Sequence, residues 1–178
     1  MIRLLVCLMM LCLLGLCGRA GADVVFTGNL LDRPCQLDPA SAGQDVTFSE
    51  SALPQFHNAP GRSNNKNFAI KLLNCRAESL GKIVKVVFSG EAEQRVPGAL
   101  KVSGVNSGKL AVQIIDTDGK TPLALGDAHH AGNGEVIASE IVTLNFSAYV
   151  QATPEALADK SVQPGDYSAI ATFEINYQ

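Results

Sequence analysis

The chain has 178 residues, a formal net charge of −3 and 17% charged residues, a charged fraction below the roughly 25% of an average domain. The length fits one domain. There is no run of basic residues to form a nucleic-acid-binding face or a membrane-surface segment. With 47% hydrophobic residues the chain can bury a core, which excludes an intrinsically disordered protein.

Residues 1–22 have the pattern of a secretory signal peptide. Arg3 precedes an unbroken apolar run over residues 4–14, and Ala20-Gly21-Ala22 supplies small residues for cleavage before Asp23. The apolar run is shorter than the roughly 20 residues that a transmembrane helix needs. We therefore expect export to an oxidising compartment.

Cysteine usage predicts one disulfide bond. Three of the five cysteines lie in the leader, so Cys35 and Cys75 are the only pair left in the exported chain. Only one pairing is possible, and a disulfide is the usual state of such a pair outside the cytoplasm.

The sequence offers little material for a metal site or for catalysis. The three histidines, His57, His129 and His130, are predicted to be solvated loop residues. They are too few and too scattered for a metal site. The segment 104–110 resembles a phosphate-binding loop but is one residue short, so it is interpreted as a connection between strands. We predict no metal, no cofactor and no enzymatic activity.

The body of the chain is predicted to be β-structure. Short runs rich in β-branched and aliphatic residues are bounded by Gly, Pro, Asn or Asp. Asp118-Gly119 predicts a hairpin turn, and Thr153-Pro154 predicts the start of one short helix. With one disulfide, this spacing indicates an antiparallel sandwich of immunoglobulin type. The predicted strands cover residues 67–74, 83–88, 100–103, 110–115, 141–150 and 167–177.

An extended segment, residues 23–32, precedes the disulfide-bonded body. Its even positions Val24, Phe26, Gly28 and Leu30 form an apolar face with a notch at Gly28, where a glycine in a strand often marks close approach of another backbone. The segment is either the first strand of its own sandwich or a strand made to insert into the groove of another molecule.

The predicted final strand runs to the penultimate residue of the chain. If this strand lies centrally in a sheet, one of its edges lacks a covalent neighbour and can pair with another chain. The fold would then be missing a strand. One face of the strand carries Tyr167, Ala169, Ala171, Phe173, Ile175 and Tyr177.

These residues resemble those of chaperone-usher pilus subunits, a family of fimbrial proteins. Cys35 and Cys75 fit the family's disulfide between the first and second strands. Gly165 is fourteenth from the end and Tyr177 is penultimate, as in the family's carboxy-terminal motif. The resemblance covers the whole exported chain, and residues 28–35 and 97–106 resemble in particular the adaptor subunits of the pilus tip fibrillum.

The resemblance implies an immunoglobulin-like sandwich that lacks its last strand, with a groove open along the final strand. A periplasmic chaperone would fill this groove first. At the outer-membrane usher, the amino-terminal extension of the next subunit would replace the chaperone strand. The implied domains are a signal peptide (1–22), a donor-strand extension (23–32) and a pilin domain (33–178).

The resemblance also assigns roles to individual residues. Val24, Phe26, Gly28 and Leu30 would enter the groove of the preceding subunit. The carboxylate of Gln178 would meet basic residues of the chaperone. The groove for the chaperone or the next subunit would be lined by Ala169, Ala171, Phe173, Ile175 and Tyr177.

The implied function is that of a structural minor pilin, an adaptor that joins the tip fibrillum to the pilus rod in a cell-surface fimbrium. Its partners would be the chaperone, the usher and neighbouring pilins arranged head to tail, with no nucleic acid and no small-molecule substrate. The alternatives are a major shaft pilin, a terminator subunit or a tip adhesin. An adhesin would need an additional lectin domain, for which residues 23–178 leave no room.

Overall fold

Eleven β-strands and a few short helices make up residues 34–178, the part of the chain that the computed structural model describes. The helices are α1 (Pro39–Ala42), α2 (Leu53–His57) and α3 (Pro154–Ala158), with a 3₁₀ turn at Ala77–Ser79. The strands are β1 (Gln36–Leu37), β2 (Lys66–Leu73), β3 (Ile83–Gly90), β4 (Leu100–Lys101), β5 (Ser103–Gly104), β6 (Leu110–Ile115), β7 (Pro122–Leu123), β8 (Glu135–Val136), β9 (Val142–Ala152), β10 (Tyr167–Ser168) and β11 (Ala171–Tyr177).

The strands form two main sheets and a short ribbon. The larger sheet has the order β1-β2-β9-β6-β4, with β7 added beside β6. The second sheet has the order β11-β3-β8, and β10 pairs with β5 in the ribbon. Every pairing is antiparallel. The prediction of an all-β, antiparallel, immunoglobulin-like sandwich is confirmed.

The core forms where alternating apolar side chains of the sheets meet. On β2, Ile70 and Leu72 are fully buried and alternate with more exposed residues, as period-two patterning requires. Three aromatic rings, Phe68, Phe88 and Phe146, lie with centroids 5.1–6.0 Å apart. These rings connect the two sheets because Phe68 pairs with Phe146 in the larger sheet while Phe88 belongs to β3.

The predicted disulfide joins Cys35 to Cys75. Cys35 precedes β1 and Cys75 follows β2, and these two strands pair in antiparallel register through Gln36 and Leu73. Both half-cystines are buried. The bond therefore fixes the short strand β1, which has only two ladder residues, to the edge of the larger sheet.

Two local predictions are confirmed in detail. β6 and β7 form the hairpin around Asp118-Gly119, in which the Asp118 carboxylate accepts hydrogen bonds from the amides of Lys120 and Thr121. Helix α3 begins after Thr153, whose hydroxyl accepts a hydrogen bond from the Ala156 amide at 3.3 Å. Both features are local, so their residues specify them without help from the rest of the fold.

Two predicted strands are wrong as continuous elements because the chain changes sheets inside them. The predicted strand 100–103 divides at buried Val102 into β4, which pairs with β6, and β5, which pairs with β10. The predicted strand 167–177 divides at Ala169 and Ile170 into β10 and β11, which pair with β5 and β3 respectively.

The helical content of the body is larger than predicted. Besides α3, the sequence folds into α1, which Asp38 caps through its side chain, and α2, which buries Phe56. Both begin with proline in the first turn, a position that suits proline. Within residues 34–178 no helix has the length and apolar character to cross a membrane.

We predict that replacing both half-cystines, Cys35→Ser with Cys75→Ser, lowers the free energy of unfolding by roughly 4 kcal/mol, the chain-entropy value for a loop of this length. The bonded residues are 40 positions apart. Urea unfolding monitored by circular dichroism measures the change. Reductant should destabilise the native chain and leave the double variant unaffected. Equal stability of the two proteins without reductant would contradict the prediction.

Candidate functional site

Among residues 34–178, strand β11 lies at the edge of its sheet. It pairs along its whole length with β3, so that Phe173 lies opposite Phe88 and Ile175 opposite Val86. Within residues 34–178, β3 is its only strand neighbour. The backbone edge that faces away from β3 is thus the kind of surface to which another extended chain can add.

The inner face of β11 is only half-buried, although the inner face of its neighbour β3 is fully buried. Val86 and Phe88 are 0% and 3% exposed, whereas Phe173, Ile175 and Tyr177 are of intermediate exposure. Directly opposed residues in an antiparallel pair point to the same face. The difference therefore reflects how little covers β11 on its outer side, among the residues described, rather than the direction of its side chains.

A cleft with a volume of about 1090 Å³ runs beside this strand. Both sheets contribute to its apolar floor, which includes Phe68, Ile70, Phe88, Val112 and Ile114. Phe173 joins the aromatic cluster of the floor, with its ring centroid 6.2 Å from that of Phe88. An apolar floor beside a free backbone edge favours an extended segment with alternating apolar side chains.

The opposite wall of the cleft consists of residues 41–51, a segment in which no strand or helix was predicted. Val46 and Phe48 are half-buried and alternate with exposed neighbours, although the segment belongs to no sheet. Within the described chain no backbone–backbone hydrogen bond involves residues 45–50. A strand lying in the cleft would therefore find backbone partners on both sides. The alternation in Val46-Thr47-Phe48 was the only sequence signal for this wall.

Two aromatic rings face each other from the two walls. Phe48 and Tyr167 have ring centroids 6.4 Å apart and are tilted by 36°, and both line the cleft. Burial raises the pKa of the Tyr167 phenol, so the ring stays neutral at physiological pH.

The structure places the predicted groove residues along one line. Ala169, Ala171 and Phe173 line the cleft. Ile175 and Tyr177 continue the same face of β11 and pack against the core, beyond the cleft lining. Gln178 is exposed, and its backbone exchanges two hydrogen bonds with Ile83 at 2.8 and 2.9 Å. Their roles toward a partner remain predictions.

The predicted donor residues Val24, Phe26, Gly28 and Leu30 lie outside the described residues, as does the predicted signal peptide. Their assignment to the donor segment remains a prediction from the sequence.

The expectation that all three histidines are solvated loop residues is wrong for His57, which ends helix α2 and whose Nε2 lies 2.9 Å from the Val162 carbonyl oxygen, and for His129. The His129 ring is fully buried, where its Nδ1 accepts a hydrogen bond from the Val86 amide at 2.9 Å and its edge meets Phe146. Its Nε2 has no hydrogen-bond partner within residues 34–178. His130 remains exposed. The chain buries His129 because the loop that carries it folds back onto β3.

Burial lowers the pKa of His129, because the charged imidazolium loses its hydration. Nδ1 already accepts a hydrogen bond, so the proton of the neutral ring is on Nε2. A second proton would have to displace the Val86 amide. The neutral ring is therefore the form that the packed core accommodates. Within the described residues no three acidic, cysteine or histidine side chains are grouped as metal ligands.

Comparison with known proteins gives a consistent result. The family profile described as Fimbrial protein matches residues 24–178. The chain is 49% identical over 157 residues to the fimbrial adapter PapK of Escherichia coli, covering 88% of each chain. It is 51% identical over 162 residues to protein PrsK of Escherichia coli, covering 90% of this chain and 91% of the relative.

More distant likenesses extend to other fimbrial proteins. The major MR/P fimbria protein of Proteus mirabilis (strain HI4320) is 34% identical over 161 residues, covering 87% of this chain and 83% of the relative. Among solved structures, the P pilus rod subunit PapA superposes with a TM-score of 0.68 at 22% identity, over 82% of this chain and all of that one. The structural likeness supports the fold alone.

We predict that Phe173→Asp abolishes binding of an extended apolar segment in the cleft, because it places a carboxylate in the aromatic floor, where an unpaired charge is costly. Thr172→Asp is the matched control, since Thr172 is exposed on the other face of β11. Co-purification with a strand-donating partner measures binding. Equal recovery of the partner with both variants would show that the cleft does not bind the partner's strand.

We predict that the chain loses stability as the pH falls below about 6.5, the pKa of histidine in an unfolded chain. The pKa of His129 is lower in the folded state, so over this window the unfolded state takes up more protons. His129→Asn should remove this part of the pH dependence, whereas His130→Asn, at an exposed position, should retain it. Urea unfolding at pH 7.5 and 5.5 tests the prediction, and identical slopes in the two variants would contradict it.

Proposed function

This chain belongs to the fimbrial protein family, and we propose that it is an adaptor pilin that joins its neighbours by exchange of donor strands. It is exported and becomes a structural part of a cell-surface fimbria. The observation that carries the proposal is the half-buried inner face of β11 beside the fully buried inner face of β3. A β-strand added at this edge would complete the sandwich.

The adaptor role is supported by the gradation in sequence identity. The chain is 49% identical to a relative named as a fimbrial adapter but 34% identical to a relative named as a major fimbria protein, over similar lengths. A role as major shaft subunit is accordingly less favoured. The role we propose is structural, and the cleft acts by binding a backbone rather than by chemistry.

The proposed partners bind either the cleft beside the final strand or the amino-terminal extension. In the periplasm, a chaperone would lend a strand to the cleft and meet the carboxylate of Gln178. At the outer-membrane usher, the extension of the next subunit would take the place of the chaperone strand, while Val24, Phe26, Gly28 and Leu30 of this chain would enter the preceding subunit. Such head-to-tail contacts do not close on themselves, so a filament results.

Simple energetics support a durable joint. Burying Val24, Phe26 and Leu30 at roughly 1.5–3 kcal/mol each gives on the order of 4–9 kcal/mol. Backbone hydrogen bonds along the cleft add roughly 1 kcal/mol apiece. No nucleotide is needed, because replacing one strand by a better-fitting strand lowers the free energy by itself.

We predict that deleting residues 23–31 leaves a subunit that binds its chaperone but cannot join the preceding subunit, because the acceptor cleft is intact and the donor strand is gone. Sheared fimbriae, probed by immunoblotting for joined subunits that resist dissociation, measure incorporation. Normal incorporation of the deleted chain would refute the donor role.

A point variant makes the same test sharper. Gly28→Leu fills the predicted notch and should slow joining, whereas the control Thr27→Leu adds the same side chain to the opposite face of the extension. Equal joining rates for the two variants would count against the proposed face of the donor strand.

A further inference from the structure

The strongly exposed large apolar side chains within residues 34–178 gather at two opposite ends of the sandwich. Isolated exposed apolar residues are ordinary on any surface, so their distribution is the informative feature. One group lies where the extension joins the body, and the other lies where β11 begins. They are Leu80 (49% exposed), Val136 (51%) and Ile141 (52%) in the first group, and Val105 (56%) and Ile170 (81%) in the second.

We call the first group the root collar (Leu80, Val136 and Ile141), because its members lie on segments hydrogen-bonded at the end of the sandwich that carries Pro34, which follows residues 23–32 in the chain. Pro34 is the first described residue of the body, and its carbonyl accepts a hydrogen bond from the Arg76 amide at 3.0 Å. The neighbouring Cys75 amide donates to the Glu140 carbonyl at 3.0 Å. Ile141 therefore directly follows a residue, Glu140, whose backbone is hydrogen-bonded next to the residue that contacts Pro34.

The other two members of the root collar lie on paired segments at the same end. The Gly81 amide donates to the Ile137 carbonyl, and the Ile137 amide donates to the Lys82 carbonyl, both at 2.9 Å. Leu80 and Val136 are the chain neighbours of Gly81 and Ile137. The 3₁₀ turn that directly precedes Leu80 also approaches Pro34, since the Ser79 hydroxyl lies 3.5 Å from the Pro34 carbonyl oxygen.

We call the second group the acceptor rim (Val105 and Ile170), because it borders the end of the cleft at which β11 begins. Val105 covers Gly165, where an added Cβ would come within 2.8 Å of a Val105 methyl, and Gly165 lines the cleft. Ile170 stands between Ala169 and Ala171, two further lining residues.

Strand polarity decides which bodies meet at these two ends. Every strand pair in this sandwich is antiparallel, and a donor strand that continues the pattern beside β11 leaves the cleft where β11 begins. Four residues separate Leu30 from Cys35, so the five Cα–Cα steps between them span about 16 Å at most at roughly 3.3 Å per step. A donor built like this chain therefore brings its root end directly over the acceptor rim.

We infer that consecutive subunits make a second contact besides the inserted strand, in which the root collar of the donor packs on the acceptor rim of the subunit that receives its strand. In this chain, Leu80, Val136 and Ile141 would lie against the preceding pilin, and Val105 and Ile170 would lie beneath the next one. The inference rests on the proposed function, because strand exchange supplies the polarity. The contact couples the two bodies and restricts their rotation about the short connection.

The effect of the contact between the two bodies can be measured apart from strand insertion by comparing a donor extension alone with the same extension attached to its whole subunit. The donor is the pilin found in the cleft of this chain in fimbriae sheared from the native bacterium. It is supplied either as a synthetic peptide of its extension or as the whole subunit. The acceptor is this chain, either native or carrying Val105→Asp and Ile170→Asp, and dissociation is followed in mild denaturant.

We expect the double variant to release the peptide at the native rate and the whole subunit roughly tenfold faster or more, because only the whole subunit covers the two apolar side chains. Unchanged peptide binding also shows that the variant is folded. Val105→Ser with Ile170→Ser should give a smaller effect in the same direction.

Val136→Asp is the control, because it changes a valine of the root collar whose exposure (51%) is close to that of Val105 (56%). In the acceptor role it should change neither release rate. When this chain is instead the donor, Val136→Asp should speed its release from the preceding subunit. The variant with Val105→Asp and Ile170→Asp should, as a donor, be released at the native rate. Equal release of the whole subunit from native and rim-variant acceptors would overturn this inference and leave the proposed function standing. Failure of the peptide to bind the native acceptor would overturn both.

Discussion

β11 pairs with β3 along one edge only, among residues 34–178, and the apolar side chains on its inner face are half-buried. A further strand is needed to pair with its other edge and to cover these side chains. Phe173 and Ile175 lie opposite residues that are fully buried, so the interior is complete on one side of the pair and open on the other. A single extended segment could supply both missing parts, since backbone hydrogen bonds and alternating apolar side chains come from the same strand. Folding and assembly therefore draw on the same interaction.

The second wall of the cleft depends on anchors at the edge of the larger sheet. The disulfide at Cys35 and Cys75 fixes β1, and helix α1 follows immediately. The Ser41 hydroxyl accepts a hydrogen bond from the Lys71 amide, and the Gln44 side chain donates to the Ala69 carbonyl. Residues 45–50, which follow these anchors, are held beside the cleft while their own backbone groups stay available for an incoming strand.

The two ends of the sandwich differ in what they offer to a neighbour. The root collar lies at the end of the sandwich that carries Pro34, and the acceptor rim borders the start of β11. Because the ends are unlike, a contact between them is head to tail and repeats along a line instead of closing a ring. In a fimbria such a contact would orient each body relative to the next.

Local sequence patterns were sufficient for the features that depend on neighbouring residues. The strand periodicity, the Asp118-Gly119 turn and the Thr153 helix cap each involve groups only a few residues apart. The disulfide could be assigned because one pair of cysteines remained after the leader. The alternation of Phe173, Ile175 and Tyr177 along the final strand likewise indicated which face meets the core.

The tertiary structure decided everything that depends on which distant segments meet. Val102 and the pair Ala169-Ile170 interrupt strands because the chain passes there from one sheet to another, and no local pattern records a change of partner. His129 is buried because its loop folds onto β3, and Val46 and Phe48 form a wall because β2 anchors the segment before them. The amino-acid sequence alone determined an exported, disulfide-bonded β-sandwich with an apolar final strand. The resemblance to pilus subunits implied a groove along this strand. Only the long-range pairing, which sets the neighbours of each strand, showed that within residues 34–178 β11 pairs on one side alone and that residues 41–51 form the second wall of the cleft.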